Sequence, residues 1–212
     1  MKREPGTVSR YTAGARINHW VNAIILILLA ISGLALFHPA LYFLTGLFGG
    51  GSNAAFLHPW MGIVLIVTFA GLFLRFWRYN IWERSDTQWM NKIRDVLAAR
   101  DENLPEVGRY NAGQKLVFWI MTIAILCLFL SGIVLWQNPP WQANVTIGQM
   151  RVAAVVHASA AVVIICVWIV HLYAAIWVKG TVSAMTKGIV TGGWAWKHHR
   201  KWLREEAAKG QK

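Results

Sequence analysis

Four long apolar segments dominate the chain, and three segments that carry almost all of its charge separate or flank them. Each apolar segment is long enough to cross the ~30 Å hydrocarbon core of a membrane as an α-helix. The pattern therefore predicts an all-α integral membrane protein in which four transmembrane helices form one bundle domain. The predicted spans are residues 19–37, 58–77, 115–136 and 152–178.

The placement of charge predicts the orientation of these spans. Of the 21 Lys and Arg residues, 20 lie within residues 1–16, 75–115 and 179–212, and all nine Asp and Glu residues lie there too. Because basic segments stay on the cytoplasmic side, we expect both termini, the loop of residues 78–114 and the C-terminal tail to be cytoplasmic, in a bacterial inner membrane. This placement explains the net charge of +12, so nucleic acid is not expected as a partner.

Three polar segments carry local predictions. The run Gly49 to Ser52 is expected to exclude helix from the first outer loop. The segment WAWKHHRKWLREE is predicted to be a basic amphipathic stretch at the cytoplasmic surface, with His198 and His199 facing water or lipid headgroups. In the cytoplasmic loop, one face of a predicted interfacial helix carries Trp89, Ile93, Val96 and Leu97.

Two histidines in the last span, His157 and His171, are the strongest chemical signal. They are fourteen residues apart in a stretch without Asp, Glu, Lys or Arg. On an α-helix this spacing puts both imidazoles on one face, ~21 Å apart along the axis. Two imidazoles placed in this way suggest one ligand each for two haems at different depths, whereas a single membrane histidine would more simply face the protein interior.

The predicted topology supplies a partner for each histidine by depth. His58 begins the second span at the outer side, level with His157, and His19 begins the first span at the inner side, level with His171. Two imidazole ligands leave no open coordination position, which is typical of an electron carrier. No Cys-x-x-Cys-His motif is present, so the haem would be bound non-covalently.

The two cysteines, Cys127 and Cys166, both fall within predicted spans. A membrane-embedded cysteine usually behaves as a small apolar residue. We therefore expect both to be core residues.

A weak internal repeat relates the two halves of the chain. Ser32-Gly33 and Ser131-Gly132 are offset by 99 residues, and so are His58 and His157. This favours two helical hairpins of the same orientation, each with one ligand for the outer haem. Gly33, Gly62 and Gly132 would either let a porphyrin approach the backbone or serve as small packing positions, and the sequence does not separate these alternatives.

Two further groups are candidates for binding. Arg151 is the only basic residue of the predicted outer side and could contact a haem propionate, or simply be solvated. Asn111 and Gln114, with Gly113 between them, could bind a quinone carbonyl at the cytoplasmic surface. On composition alone they read more simply as the N-cap and capping-box residues of the third span.

Six motifs together resemble one known family. RINHW, LHPWMG, RYNAGQK, SGIVLW, HLYAAIWVKGT and AWKHHRKWLRE, in this order from about Tyr11 to Glu205, are similar to the cytochrome b (gamma) subunit of respiratory formate dehydrogenases. The resemblance covers nearly the whole chain. One departure is the pair Gln137-Asn138, where the family is expected to have Arg-Pro.

The resemblance implies a specific activity and specific partners. It implies two b haems with the ligand pairs given above, and reduction of menaquinone or ubiquinone near the cytoplasm, with quinone contacts at Asn111, Gly113, Gln114 and His171. It also implies that electrons arrive from an iron–sulfur beta subunit on the periplasmic side, after formate is oxidised in a molybdenum- or tungsten-containing alpha subunit.

Two alternatives follow from the same features. The cytochrome b subunit of a nickel–iron hydrogenase or a thiosulfate reductase would use the same helices and haems with a different electron donor. A channel or transporter would use the histidines as a polar lining instead, although the predicted spans contain no Asp or Glu to support proton coupling.

Overall fold

The computed structural model of the chain describes residues 6–136 and 144–209, so the departure at Gln137-Asn138 lies outside the described residues. Four helices are long and apolar enough to cross a membrane, which confirms the predicted helical membrane bundle. A short two-stranded sheet, which the sequence did not predict, is present as well. The cytoplasmic placement of the termini stays a prediction. In chain order the elements are β1 (Thr7–Ser9), α1 (Ala13–Phe37), α2 (Gly51–Phe76), α3 (Arg84–Asn91), α4 (Ile93–Leu97), α5 (Ala112–Leu135), α6 (Ile147–Trp177), α7 (Thr181–Thr186), β2 (Ile189–Thr191), α8 (Gly192–His198) and α9 (Arg200–Lys209), with 3-10 helices at Pro39–Phe48, Trp77–Asn80 and Asp101–Asn103.

Each long helix begins several residues before the span predicted from hydropathy. The reason is visible in the caps, which lie in polar segments. At α1 the Thr12 hydroxyl accepts a hydrogen bond from the Ala15 backbone N–H at 3.3 Å. At α6 the Thr146 hydroxyl accepts from the Gln149 backbone N–H at 3.3 Å, and the Gln149 side chain accepts from the Thr146 N–H at 2.8 Å. Hydropathy reports only the apolar part of a helix, so it misses these polar first turns.

The glycine run before α2 is more ordered than predicted. Gly49 and Gly50 have positive φ angles of 82° and 106°, and they end the 3-10 helix that precedes them. Gly51 already belongs to α2, and the space next to its Cα is filled by the ring of Tyr42. The prediction that residues 49–52 exclude helix is therefore wrong for Gly51 and Ser52.

The chain divides into two compact units. The span unit consists of Ile17–Leu74 and Ile120–Val170, the middle parts of the long helices and the outer segments that connect them. The loop unit consists of Met1–Arg16, Arg75–Trp119 and His171–Lys212. The bounds of the loop unit include 20 of the 21 Lys and Arg residues, and Arg151 alone lies in the span unit.

The span unit has a small core and an apolar exterior. Leu65 of α2, Ala124 and Ile125 of α5 and Ile164 of α6 are buried against one another. Large apolar side chains point outward instead, which is the arrangement a hydrocarbon solvent favours. Cys127 is half-buried but Cys166 is exposed, so the prediction that both cysteines are core residues is wrong for Cys166.

The loop unit contains a short antiparallel sheet that joins the N-terminal segment to the segment after α7. Strand β1 pairs with β2 so that Val8 lies opposite Val190. Trp194 and Trp202, from α8 and α9, pack with Val190 and with the ring of Tyr11. The C-terminal segment is therefore folded against the N-terminal segment, and its predicted position at the cytoplasmic membrane surface stays a prediction.

His199 is buried within this folded C-terminal segment. It is 1% exposed, and its Nδ1 lies 3.0 Å from the Gly108 carbonyl oxygen. Burial, then the charge of Arg10, lowers the pKa of His199 to about 3, and the charges of His198 and Arg109 act in the same direction. The neighbouring His198 is half-buried. The prediction that His199 faces water or headgroups is wrong.

The predicted interfacial helix is interrupted at Lys92, where α3 ends before α4 begins. Trp89 is buried in a cluster with Val107 and Ala112, and Val96 packs against this cluster. Ile93 and Leu97 are exposed, Leu97 to 77%. The four residues therefore do not form one common face.

Arg10 and Arg109 are 99 residues apart and bind each other's backbone in the loop unit. A guanidinium nitrogen of Arg109 donates to the Arg10 carbonyl oxygen at 2.6 Å, and a guanidinium nitrogen of Arg10 donates to the Arg109 carbonyl oxygen. The surrounding sequences, RYTAG and RYNAG, are nearly identical. The internal repeat therefore begins earlier than the Ser-Gly motif from which it was predicted.

Acid should destabilise the protein through His199. As the pH falls below about 6.5, the unfolded chain takes up this proton while the folded chain resists until about pH 3. The contribution of neutral, buried His199 to the free energy of unfolding is therefore complete above about pH 6.5 and is lost progressively below that pH. We expect the thermal unfolding midpoint of the detergent-purified protein to fall more steeply between about pH 7 and pH 4.5 than that of His199→Gln, which keeps a donor for Gly108.

His198→Gln is the matched control, since it removes a half-buried neighbour and should follow the wild-type curve. Parallel pH curves for the wild type and His199→Gln would contradict the prediction that His199 makes the protein sensitive to acid.

Candidate functional site

The imidazoles of His58 and His157 face each other in the span unit. His58 lies in α2 and His157 in α6, and their ring centres are 6.2 Å apart with an angle of 63° between the rings. A metal-bound imidazole nitrogen lies about 2 Å from the metal, so two ligands on opposite sides of one metal have ring centres about 6 Å apart. The spacing of this pair therefore fits two axial ligands of one haem iron.

Each of these rings contacts a serine of the preceding helix. The Ser32 hydroxyl of α1 lies 2.7 Å from His58 Nδ1, and the Ser131 hydroxyl of α5 lies 2.9 Å from His157 Nδ1. Both serines are buried. With Nδ1 engaged, the nitrogen that remains for a metal is Nε2.

The sequence marks these serines as corresponding residues of the internal repeat. The repeat relates the two Ser-Gly pairs and the two histidines, but it does not predict that serine and histidine contact each other. Ser32 precedes His58 by 26 residues, and Ser131 precedes His157 by the same number. The equal distances follow from the 99-residue offset of both motifs, so the contact itself is seen only in the structure.

The glycines after these serines give the rings room. A Cβ at Gly33 would lie 3.2 Å from His58 Cε1, and a Cβ at Gly132 would lie 3.4 Å from His157 Cε1. Gly62 lies one turn after His58, and among the described residues no atom lies within 4 Å of the position its Cβ would take. Gly33 and Gly132 thus make room for the rings of His58 and His157, and Gly62 leaves space on the face of α2 that carries His58.

The second predicted ligand pair is divided between the two units. His19 lies in α1 within the span unit, and His171 lies in α6 within the loop unit. Helix α6 is continuous from Ile147 to Trp177, so His157 and His171 share one helix as predicted. The pairing of His19 with His171 stays a prediction, and so does the contact of Arg151, an exposed residue of α6, with a propionate.

Asn111 and Gln114 form a reciprocal capping box at the start of α5. The Gln114 side-chain oxygen accepts from the Asn111 backbone N–H at 3.0 Å, and the Asn111 side-chain oxygen accepts from the Gln114 N–H at 3.0 Å. The simpler sequence interpretation of these residues is thus present in the structure. The box uses the two carbonyl oxygens and does not use the two amide NH₂ groups.

Asn111 also lines a cavity of about 560 Å³ in the loop unit. Aromatic side chains form part of the wall, among them Trp89 and Trp177. A Cβ at Gly113 would lie 3.3 Å from the Trp89 ring, so glycine at this position lets Trp89 pack close to the first turn of α5. The volume is within the range of small-ligand sites, about 300–1,000 Å³.

A buried ion pair fixes this end of α5. Lys115 Nζ lies 2.7 Å from Asp86 Oδ2, with the two side chains 4% and 1% exposed. Lys115 also donates to the Ile81 carbonyl oxygen at 2.9 Å, and Asp86 Oδ2 accepts from the Glu83 backbone N–H at 2.7 Å. Removing one partner of a buried pair leaves an uncompensated charge, so this network holds α3 and the first turn of α5 together.

Comparison with known proteins gives consistent results. Residues 10–188 match the family model described as prokaryotic cytochrome b561. The formate dehydrogenase cytochrome b556(fdo) subunit of Escherichia coli (strain K12) is 43% identical over 205 residues, which cover 97% of this chain and 95% of that protein. The nitrate-inducible cytochrome b556(Fdn) subunit from the same strain is 36% identical over 198 residues, covering 93% and 91%.

A third relative comes from another genus. The formate dehydrogenase cytochrome b556 subunit of Haemophilus influenzae (strain ATCC 51907 / DSM 11121 / KW20 / Rd) is 34% identical over 199 residues, which cover 94% of this chain and 83% of that protein. The resemblance inferred from the six motifs is thus confirmed over nearly the full length.

Adding a methyl group next to the ring of His58 or His157 should disturb a haem held by these two rings. We expect Gly33→Ala to perturb the visible spectrum or reduce the haem content, because the new Cβ would crowd His58 at 3.2 Å. Gly132→Ala should have a smaller effect, since its Cβ would lie at 3.4 Å. The measurement is the pyridine haemochrome content and the Soret band of the purified chain.

Gly14→Ala is the control on the same helix as Gly33. Among the described residues no atom lies within 4 Å of its Cβ position, and alanine favours helix more than glycine does. It should keep the wild-type haem content. A wild-type spectrum in both Gly33→Ala and Gly132→Ala would refute the predicted crowding.

Proposed function

The chain belongs to the prokaryotic cytochrome b561 family, and on that premise we propose that it is the dihaem cytochrome b subunit of a formate dehydrogenase that reduces quinone. The family carries electrons through haem b, and the relatives described above are subunits of formate dehydrogenases. These relatives favour a formate dehydrogenase over the hydrogenase, thiosulfate reductase and channel alternatives.

The observation that supports this proposal most directly is the His58–His157 pair. Its ring spacing of 6.2 Å suits one iron between the two imidazoles, and the serine contacts leave Nε2 of each ring for that iron. His19 and His171 are proposed to hold the second haem. When bound, the two haems supply one-electron carriers at two depths of the membrane.

The composition of the loop unit supports the proposed sidedness. Because the N-terminal segment, the loop between α2 and α5 and the C-terminal segment form one compact unit, they have to lie on the same side of the membrane. This unit has almost all of the basic residues, which favours the cytoplasm. His58 and His157 would then lie towards the periplasm, where an iron–sulfur subunit would deliver electrons from the molybdenum- or tungsten-containing subunit.

The start of α5 is the proposed quinone site. The amide NH₂ groups of Asn111 and Gln114 can donate hydrogen bonds to a quinone carbonyl while their oxygens remain in the capping box. Asn111 borders the 560 Å³ cavity, whose tryptophans suit a planar ring. Gly113 and His171 complete the proposed set of contacts, and the cytoplasmic side offers water as a source of protons.

Haem counting in paired variants tests the ligand proposal. We expect two haem b per chain in the wild type and one in each of His58→Ala, His157→Ala, His19→Ala and His171→Ala. Because ligands of one iron act together, the double variant His58→Ala/His157→Ala should still keep one haem. A double variant that combines ligands of different irons, His58→Ala/His171→Ala, should keep none.

The measurement is a reduced-minus-oxidised spectrum with a pyridine haemochrome count. His38→Ala is the control, since this exposed residue caps the 3-10 helix Pro39–Phe48 and should keep both haems. Loss of both haems in His58→Ala/His157→Ala, or full retention in any single-ligand variant, would disprove the pairing.

Variants that keep the capping oxygens test the quinone site separately. Asn111→Ser and Gln114→Glu retain an acceptor for the capping box but lose the amide donor. We expect reoxidation of the reduced chain by a soluble menaquinone analogue to slow at least tenfold, the loss of about 1.4 kcal/mol of binding, while haem content and unfolding temperature stay at wild-type values.

Stopped-flow absorbance of the haem bands gives the rate. Thr12→Ser is the matched control, because Thr12 caps α1 at the position that corresponds to Asn111 in the repeat. Wild-type rates in both Asn111→Ser and Gln114→Glu would exclude these residues from quinone binding.

A further inference from the structure

We propose that Ser32 and Ser131 are positioning residues that fix the tautomer of the outer haem ligands and tune the reduction potential of that haem. In this arrangement each serine oxygen accepts a hydrogen bond from Nδ1–H of its histidine, so that Nε2 presents a lone pair to iron. The inference rests on the proposed function, since it requires His58 and His157 to be ligands.

The contact geometry is that of real hydrogen bonds. The distances of 2.7 Å for Ser32–His58 and 2.9 Å for Ser131–His157 are within the normal range. Ser32 is 0% exposed and Ser131 is 6% exposed. In a membrane interior neither ring could obtain this hydrogen bond from water, so acceptors of the protein determine which nitrogen holds the proton. At His58 this acceptor is Ser32, and at His157 it is Ser131 beside the Leu128 backbone carbonyl.

The direction of the hydrogen bond follows from the other contacts of the serines. A hydroxyl has one hydrogen to donate. The Ser131 hydroxyl lies 2.6 Å from the Cys127 carbonyl oxygen, and the Ser32 hydroxyl lies 3.2 Å from the Leu29 carbonyl oxygen. Each hydroxyl can therefore donate to a carbonyl of its own helix and accept from the ring, which places the ring proton on Nδ1.

The recurrence of the contact argues against simple packing. A serine in a membrane helix is often only a small residue that lets helices approach. Here both hairpins place a serine on the first helix and a histidine 26 residues later on the second helix, with Nδ1 as the contacting atom in both. Packing alone does not require the same ring nitrogen to meet a hydroxyl twice.

The hydrogen bond from Nδ1–H should shift the midpoint potential of the outer haem in a defined direction. An imidazole that donates its Nδ1–H to an acceptor becomes a more basic ligand through Nε2. A more basic ligand favours the ferric over the ferrous form, so the serines should lower the midpoint potential of the outer haem. Removing one hydroxyl should raise it.

Redox titration of the full-length chain in membranes or detergent, followed at the haem bands, tests this. We expect Ser32→Ala and Ser131→Ala each to keep two haems and to raise the ferrous-to-ferric ratio of one haem about tenfold at a fixed potential, equivalent to ~59 mV for one electron. The other midpoint should not move, and the double variant should shift the same haem further. Ser32→Thr and Ser131→Thr, which keep the hydroxyl, should restore the wild-type value.

Thr68→Ala is the control for loss of a hydroxyl in a span. Thr68 of α2 donates to the Val64 and Leu65 carbonyl oxygens at 2.8 Å and 3.2 Å, as the serines do to theirs. It should leave both midpoints at their wild-type values. Unchanged midpoints in the alanine variants, equal shifts in the alanine and threonine variants, or an equal shift in Thr68→Ala would overturn the inference.

If an alanine variant loses the outer haem, the threonine variant decides. If the Ser→Thr variant keeps the outer haem and its wild-type potential, the hydroxyl has the proposed role. If the Ser→Ala and Ser→Thr variants lose the haem equally, the inference is overturned. Failure of the underlying proposal is recognised separately, because His58→Ala and His157→Ala would then keep both haems. If those variants each lose one haem while the serine variants have no effect, only the present inference fails.

Discussion

A polar group inside a membrane helix bundle has to find its partner within the protein, and this constraint shapes the span unit. Thr68 returns its hydroxyl to carbonyls of its own helix, and Asn22 donates to Asn18 one turn earlier. His58 and His157 are satisfied at Nδ1 by serines, which leaves one nitrogen on each ring. Under the proposed function, one iron would bind the two remaining nitrogens, whose rings are 6.2 Å apart, so the cofactor would satisfy the polar atoms that the serines leave free.

The internal repeat explains how one chain builds such a site from two equal contributions. The offset of 99 residues relates the RYTAG and RYNAG segments, the two Ser-Gly pairs and the two outer histidines. In the loop unit the repeated arginines bind each other's carbonyl oxygens, and in the span unit the repeated histidines face each other. Residues that correspond in the two hairpins thus meet one another, as expected when two similar hairpins pack with related orientations.

The sequence predicted what depends on local pattern and missed what depends on distant partners. Hydropathy located the four long helices, and helix periodicity placed His157 and His171 on one face. The burial of His199 could not be predicted, because WKHHRK is a polar segment and the contact that buries His199 comes from Gly108, 91 residues earlier. The contact of Ser32 with His58 could not be predicted either, because the repeated 26-residue distance follows from the 99-residue offset and does not indicate which side chains meet.

The positions where the repeat fails are as informative as those where it holds. The proposed inner ligands His19 and His171 correspond to Phe118 and Leu72 in the other half, neither of which can bind iron through a side-chain nitrogen.

The proposed quinone contacts differ between the halves in the same way. Thr12 keeps the capping oxygen of Asn111 but has no amide donor, and Ala15 replaces Gln114. Under the proposed function, the repeat relates two inner pairs of positions, and only the pair of His19 with His171 could bind iron. The repeated residues would then build the outer site from both halves, and the residues that differ between the halves would give the proposed electron path a single exit.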